Sequence, residues 1–276
     1  MLECTLENGI KILCYPIPHA YSLTVGLYVK AGLKYELLEQ HGISHFLEHM
    51  HFRGTGVHEQ KNLYYLTQKM GTSLVGKTYK ELLQFQMKVR PKYIFDACSV
   101  IKAVIDNYSW TQEQLEAERK IILEEIAEKS FYLNINTYID ELLWPDQLIS
   151  KDILGSEKSI KQISLQDLIQ YKKSRFVPGN ICIVITGAIV NKDFLRIKNI
   201  FEKIKLNNLK ELSINKSNKT MQMRKPDIKF EYCEWNCLDF CLIFDVDYSK
   251  VKIEELLLLN AILGDGDGSK LQDILK

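Results

Sequence analysis

Apolar and polar positions alternate through the first thirty residues. The stretch 5–13 (TLENGIKIL) sets an Asn8-Gly9 pair between two strand-like runs, a strong hairpin signal. Residues 22–30 (SLTVGLYVK) predict a third strand. The period then changes. Residues 41–51 carry Ile43, Phe46, Leu47 and Met50 at helical spacing. A second helix is predicted over 61–69, ended by Gly71, since glycine suits a left-handed cap. Alternation returns over 82–89 and stops before Pro91. Two long helical patterns follow, 93–108 and 111–130, the second with Thr111 and Gln114 placed as a capping box. A shorter helix is expected over 138–143, before Pro145. Ser164 reads as the N-cap of another, with Asp167 favouring its first turn. A strand over 181–186 and a helix over 193–204 complete an α+β pattern.

From 206 to 225 the chain turns rich in Asn, Lys and Ser and reads as a linker between a domain over 1–205 and a second over 226–276. After Pro226 the pattern restarts: strand-like over 230–248, helical over 252–263, then a turn at Gly264–Gly268. That glycine cluster lacks the Lys-Ser/Thr pair of a phosphate loop. The second stretch is about the size at which a chain cannot easily bury its own apolar face. It is therefore expected to be part of something longer or to be completed by a partner.

Composition narrows the function classes. Hydrophobic residues make up 46% of the 276, enough for a sizeable core. The 36 basic and 35 acidic side chains leave a formal charge of +1, which gives no electrostatic case for nucleic acid or an anionic membrane. No apolar run approaches the roughly 20 residues that span a bilayer. The start shows no basic region followed by an apolar one, so no signal peptide is expected. Seven cysteines, an odd number mostly in apolar runs, predict reduced, buried thiols and a cytoplasmic location. Cys233, Cys237 and Cys241 tempt a metal reading. On a strand, however, neighbours four residues apart lie roughly 13 Å from each other. Buried, same-face strand cysteines are expected instead.

The chemistry-bearing stretch is HGISHFLEHMHFRGT. On a helix His45 and His49, four residues apart, share one face. Their imidazoles suit Zn²⁺, and Glu48 sits beside them within reach of a bound water. This is the H-x-x-E-H order, a zinc-peptidase motif. His51 points away from that face and is expected to pack or to face solvent. His41 precedes the helix and could line a cleft. A catalytic zinc usually takes three protein ligands, so one must come from elsewhere. The stretch ERKIILEEIAEKS offers Glu118, Glu124, Glu125 and Glu128, with Glu118 and Glu125 two turns apart on one face. Taken alone, the histidine motif fits chance or structural use about as well, and the acidic run fits a solvated face better.

Together and in order, the motifs are specific. LENGIKILCYPIP, SLTVGLYVKAG, HGISHFLEHMHFRGT, LEAERKIILEEIAE, ILGSEKSIKQIS and FVPGNICIVITGAI resemble the pitrilysin/insulysin family of zinc peptidases (inverzincins), which includes the mitochondrial processing peptidases. LLLLNAILGDGDGSKLQDILK resembles the start of that family's second homologous domain. The resemblance implies a peptidase-type α+β domain, its mixed or antiparallel sheet packed by helices. It implies a zinc endopeptidase with His45 and His49 as ligands and Glu48 as general base. The family's third ligand is a downstream glutamate, and 76 residues after His49 stands Glu125. Glu118 matches a second family glutamate that supports catalysis through hydrogen bonds to a ligand.

Two departures qualify what is carried over. Relatives place an Asn-Ala pair on an edge strand that binds the substrate backbone. Here Val75 and Gly76 stand at the pair, so a main-chain contact with an extended peptide remains while the Asn contact is gone. The family also draws an Arg and a Tyr from its second domain. A homo- or hetero-oligomeric partner, a dimer in the simplest case, is expected to supply that half. Two alternatives to a general endopeptidase stay open: a non-catalytic peptide-binding scaffold subunit, and a specialised peptide-maturation protease.

Overall fold

The computed structural model describes residues 1–55, 58–106, 108–130, 135–145, 147–206, 224–230, 232, 241–247, 249–265 and 268–275. The chain divides into two compact units, Met1–Ile214 and Asn215–Lys276. The first contains, in order, β1 (Leu2–Thr5), β2 (Lys11–Pro16), β3 (Leu23–Val29), α1 (Ile43–Arg53), β4 (Gly54–Thr55), β5 (His58–Glu59), α2 (Gln60–Lys69), β6 (Val75–Thr78), β7 (Leu83–Val89), α3 (Ile94–Ile105), α4 (Gln112–Ser130), α5 (Ile135–Leu143), α6 (Glu157–Gln162), α7 (Leu165–Arg175), β8 (Ile181–Gly187) and α8 (Asp193–Glu202).

Six strands form one mixed sheet in the order β1-β2-β8-β3-β7-β6. Only the β2–β8 pair of this sheet is parallel; the β1–β2, β3–β8, β3–β7 and β6–β7 pairs are antiparallel. Strand period sorts the side chains: Ile12, Cys14, Val25, Leu27, Phe85, Met87, Ile183 and Ile185 all lie buried on the helical side. Helix α3 packs on β3 and β7, and α1 on β6. The Asn8-Gly9 hairpin, the capping box of Thr111 with Gln114 and that of Ser164 with Asp167 all form as the sequence predicts. Gly71 takes φ +71 just past α2. The sequence pattern did not reveal α6, a six-residue helix begun by the Ser156 hydroxyl accepting from the Ser159 amide at 3.2 Å.

Behind α1 lies an ion in an apolar setting. Lys172 of α7 is 3% exposed. Its Nζ donates to the carbonyls of Val104 (2.9 Å) and Asp106 (3.0 Å) and meets His51 Nε2 at 3.2 Å. The rings of Tyr108, Trp110 and Phe176 surround it. His51 is thus a packed side chain, away from the motif's polar face. Burial pushes the lysine down to about 7, against an ordinary value of 10.5. A depressed folded-state pKa means the unfolded chain binds the extra proton between those values. Wild type should therefore gain stability over Lys172→Met as pH rises from about 7 to 10.5. Paired melts across that range check this, and a pH-independent difference would refute it.

In the second unit α9 (Ile253–Leu263) and α10 (Lys270–Leu275) form. Leu257, Leu258 and Leu259 on α9 are exposed, as expected for a stretch unable to bury its own apolar face. The strand expected over 230–248 is corrected for its described residues. Residues 241–247 join no ladder, and Leu242 and Phe244 are exposed. A strand needs a neighbour for its backbone groups, and none of this unit's described residues provides one. Cys241 is accordingly exposed rather than buried, while Cys233 and Cys237 lie outside the described residues, as does 207–223 of the expected linker. Among the other thiols Cys14 and Cys98 are buried, and Cys4 and Cys182 half-buried. No helix among the described residues is long and apolar enough to cross a membrane.

Candidate active site

Helix α1 is a central helix, not a surface one. Its apolar side (Ile43, Phe46, Leu47, Met50) is fully buried, yet His45 and Glu48 on the other side are only 9% and 8% exposed. Buried ionisable groups are costly unless paired, so their clustering on one turn needs partners. Gly42 begins the helix at φ +93, where a side chain would also strike the Leu154 carbonyl. With no side chain at that cap, buried Glu36 does the work. Its carboxylate accepts from the amides of Gly42 (2.7 Å) and Ser44 (3.0 Å), placing negative charge at the positive end of the helix.

Helix α4 runs beside α1. Arg119 helps hold it there, its guanidinium lying over the Phe46 ring while Nη2 donates to the Ile163 carbonyl at 2.8 Å. Two turns of α4 present Glu118 and Glu125 to the histidines. The rings of His45 and His49 stand 4.5 Å apart, centre to centre. His45 Nε2 lies 3.8 Å from Glu125 Oε2, and His49 Nε2 lies 3.7 Å from Glu125 Oε1. One ligand atom from each of the three residues falls within 4.8 Å of the others. Tetrahedral ligands at about 2.0–2.1 Å from zinc stand roughly 3.3–3.5 Å apart, so small side-chain movements suffice to close on an ion. Two imidazoles and a carboxylate are a catalytic zinc donor set. Glu125's side chain is 40% exposed, leaving the cluster open to solvent on that side.

Glu118 is 6% exposed and bonded twice: Oε2 to His49 Nδ1 at 2.9 Å, and Oε1 to Arg53 Nε. With Nδ1–H donating to this carboxylate, the neutral His49 ring turns its Nε2 lone pair toward Glu125. Burial alone would raise the Glu118 pKa, but the His49 and Arg53 bonds outweigh it and hold it low. Burial, with His49 adding, pushes His45 down to about 3, so it is a neutral imidazole. Burial lowers His49 too, but the bond to Glu118 and the charges of Glu125, Glu118 and Glu48 outweigh it and raise its pKa. Three carboxylates around two imidazoles make a surplus of negative charge suited to a divalent cation.

Glu48 stands beside this cluster. Its Oε2 accepts from the Thr78 hydroxyl at 2.5 Å. Burial raises its pKa, opposed by that bond and by His49. Strand β6 is the outer strand of the sheet. Its register turns Gly76 toward Glu48, while Val75 faces the opposite side and is exposed. Glu124 and Glu128 are exposed and take no part. His41 lies near the start of α1, its Nε2 2.6 Å from the Asp152 carbonyl. Sequence reasoning missed Glu36, Arg53 and Thr78. Only Arg53 carried a signal, standing four residues after His49 on the same helical face.

Comparison with known proteins adds an independent line. The family model described as insulinase (peptidase family M16) matches residues 12–143, a span that contains all of these site residues. The mitochondrial-processing peptidase subunit beta of Rattus norvegicus is 29% identical over 194 residues, covering 70% of this chain and 40% of the relative. An uncharacterized zinc protease of Rickettsia felis is 27% identical over 194 residues, covering 67% of this chain and 45% of the relative. A protease from Helicobacter pylori shares the fold, with a TM-score of 0.70 over 75% of this chain and 51% of that one, at 17% identity. The chain spans about two fifths of the length of the curated relatives it matches.

Proposed function

We propose that this chain, whose residues 12–143 match the insulinase (peptidase family M16) model, is a zinc-dependent endopeptidase acting on extended peptides. The observation that carries the reading is the meeting of His45, His49 and Glu125 beside a buried Glu48. A scaffold would have no use for that set. His45, His49 and Glu125 would hold the ion. Zinc bound there would polarise the scissile carbonyl and lower the pKa of a nearby water. Glu118 fixes the His49 ring through Nδ1 and so aims its Nε2. An extended substrate adds to the free edge of β6 through main-chain hydrogen bonds, which need no particular residue at Val75. Glu48 accepts the proton of the attacking water and passes it to the leaving amine, a task its raised pKa favours.

The rat relative is by name one subunit of a processing peptidase. With two fifths of such a relative's length present, a partner subunit or further domain is proposed to complete the substrate side of the site. The exposed Val75 at the substrate strand supports a second reading, a peptide-binding subunit without turnover. Metal content separates the two more cleanly than cleavage. The purified chain is expected to bind about one zinc, as catalytic sites of this type do, and His49→Ala to bind none. Chelation should end any peptide cleavage and added zinc restore it. A wild-type chain that binds no zinc would sink the endopeptidase reading.

A further inference from the structure

Strand β6 has two sides with different duties. Its register pairs Gly76 with Phe85 and Thr78 with Leu83, so both face the helical layer, while Val75 and Lys77 face away. Thr78 is buried, and its single hydroxyl proton is given to Glu48 Oε2. Gly76 supplies room. A Cβ built there would stand 2.6 Å from Glu48 Oε1, 2.8 Å from its Cγ and 2.9 Å from Phe52 Cε2. One oxygen of the carboxylate is thus tied down by Thr78, and the other lies in the space that a side chain at position 76 would fill. The seat of Glu48 is therefore built from β6, the strand whose outer edge no described strand covers.

We propose that Gly76 and Thr78 are positioning residues for Glu48, so that the strand offering its edge to the peptide also aims the general base. This rests on the peptidase reading above. Holding Oε2 with a hydroxyl leaves Oε1 as the oxygen free to meet a water. A shift of β6 by a few tenths of an ångström when a peptide pairs to its edge is passed directly to the base, because the seat and the edge share one backbone. The alanine that the resemblance implies at position 76 would claim the place Oε1 takes here. The aim of the base in this chain is thus tied to glycine.

The test uses the full chain with Thr78→Val, Thr78→Ser and Gly76→Ala, and two readouts. One is the rate at which a water-soluble carbodiimide and an amine label Glu48 in the metal-free protein, read by peptide mass spectrometry. The other is kcat and KM on a fluorogenic peptide, with zinc content measured alongside. Thr78→Val should label several times faster. Its kcat should fall about 10–100-fold, the equivalent of one hydrogen bond to a charged group. KM and zinc content should hold, and Thr78→Ser should restore both labelling and kcat. Should Thr78→Val fail to fold, Gly76→Ala decides. The new methyl meets Glu48 Oε1 and Cγ and Phe52 Cε2, so the Glu48 side chain and the Phe52 ring must give way; the variant should melt below wild type but still fold, with an altered labelling rate and lower kcat. Wild-type labelling in the folded variants, or a loss that Thr78→Ser does not restore, overturns the proposal. If wild type binds no zinc, the peptidase reading fails alone and the labelling rates still decide the seat.

Discussion

Glu48→Gln is expected to keep its zinc and to lose about 10²–10⁴-fold in kcat, the range general-base removal produces. The geometry explains why the two effects separate. Glu48 is not one of the three residues whose ligand atoms converge, and its Oε2 is turned toward the Thr78 hydroxyl. Glutamine has nearly the same volume, and its amide oxygen still accepts from Thr78, so the pocket stays filled. What it cannot do is accept the proton of a water. Stability should hold or rise slightly, because burial disfavours the charged carboxylate and the amide carries no charge. Zinc content, melting temperature and kcat measured on one preparation check this. Cleavage at the wild-type rate would remove Glu48 from the role of base. Loss of zinc together with activity would make it a ligand instead.

Much of this site is local in the sequence, and that part was readable. His45, Glu48 and His49 lie within five residues, and helical period alone puts the two imidazoles on one face. The same period places Glu118 and Glu125 two turns apart. Period could not choose between Glu124, Glu125 and Glu128. That choice came from the resemblance, and the geometry sets Glu125 beside the histidines with the other two in solvent. The unread part is non-local. Thr78 reaches Glu48 across thirty positions of chain, and Lys172 meets His51 across 121. Glu36 caps a helix whose own cap position is a glycine, so no capping signal stands where one would look. The described residues of the strand expected over 230–248 join no ladder for a related reason: alternation predicts a surface that wants a neighbour, and it does not supply one. A buried lysine likewise has no signature of its own, since only the folded chain brings three rings and two carbonyls around it.

Glu125→Gln should weaken zinc binding by at least about 100-fold, the upper end of what losing even a supporting partner of a ligand costs. The amide oxygen keeps the shape but gives up the charge that offsets the ion, and two neutral imidazoles remain to hold it. A melt can read the loss without any substrate. At free zinc 100 times its Kd the wild-type chain gains about 2.7 kcal/mol, and a variant bound 100-fold more weakly gains only about 0.4 kcal/mol at the same zinc. Without added zinc the two proteins should melt close together, because Glu125 is partly exposed and the His45 and His49 ring nitrogens stand 3.7–3.8 Å from its carboxylate, beyond hydrogen-bond reach. Glu124→Gln, one residue away on the exposed face of α4, should keep the full zinc-dependent shift. If instead Glu125→Gln keeps that shift and Glu118→Gln loses it, the third ligand is Glu118. The His49 bond at Nδ1 would then be a substitute for a contact with the ion itself. The two variants thus test whether α4 offers the metal its exposed carboxylate or its buried one.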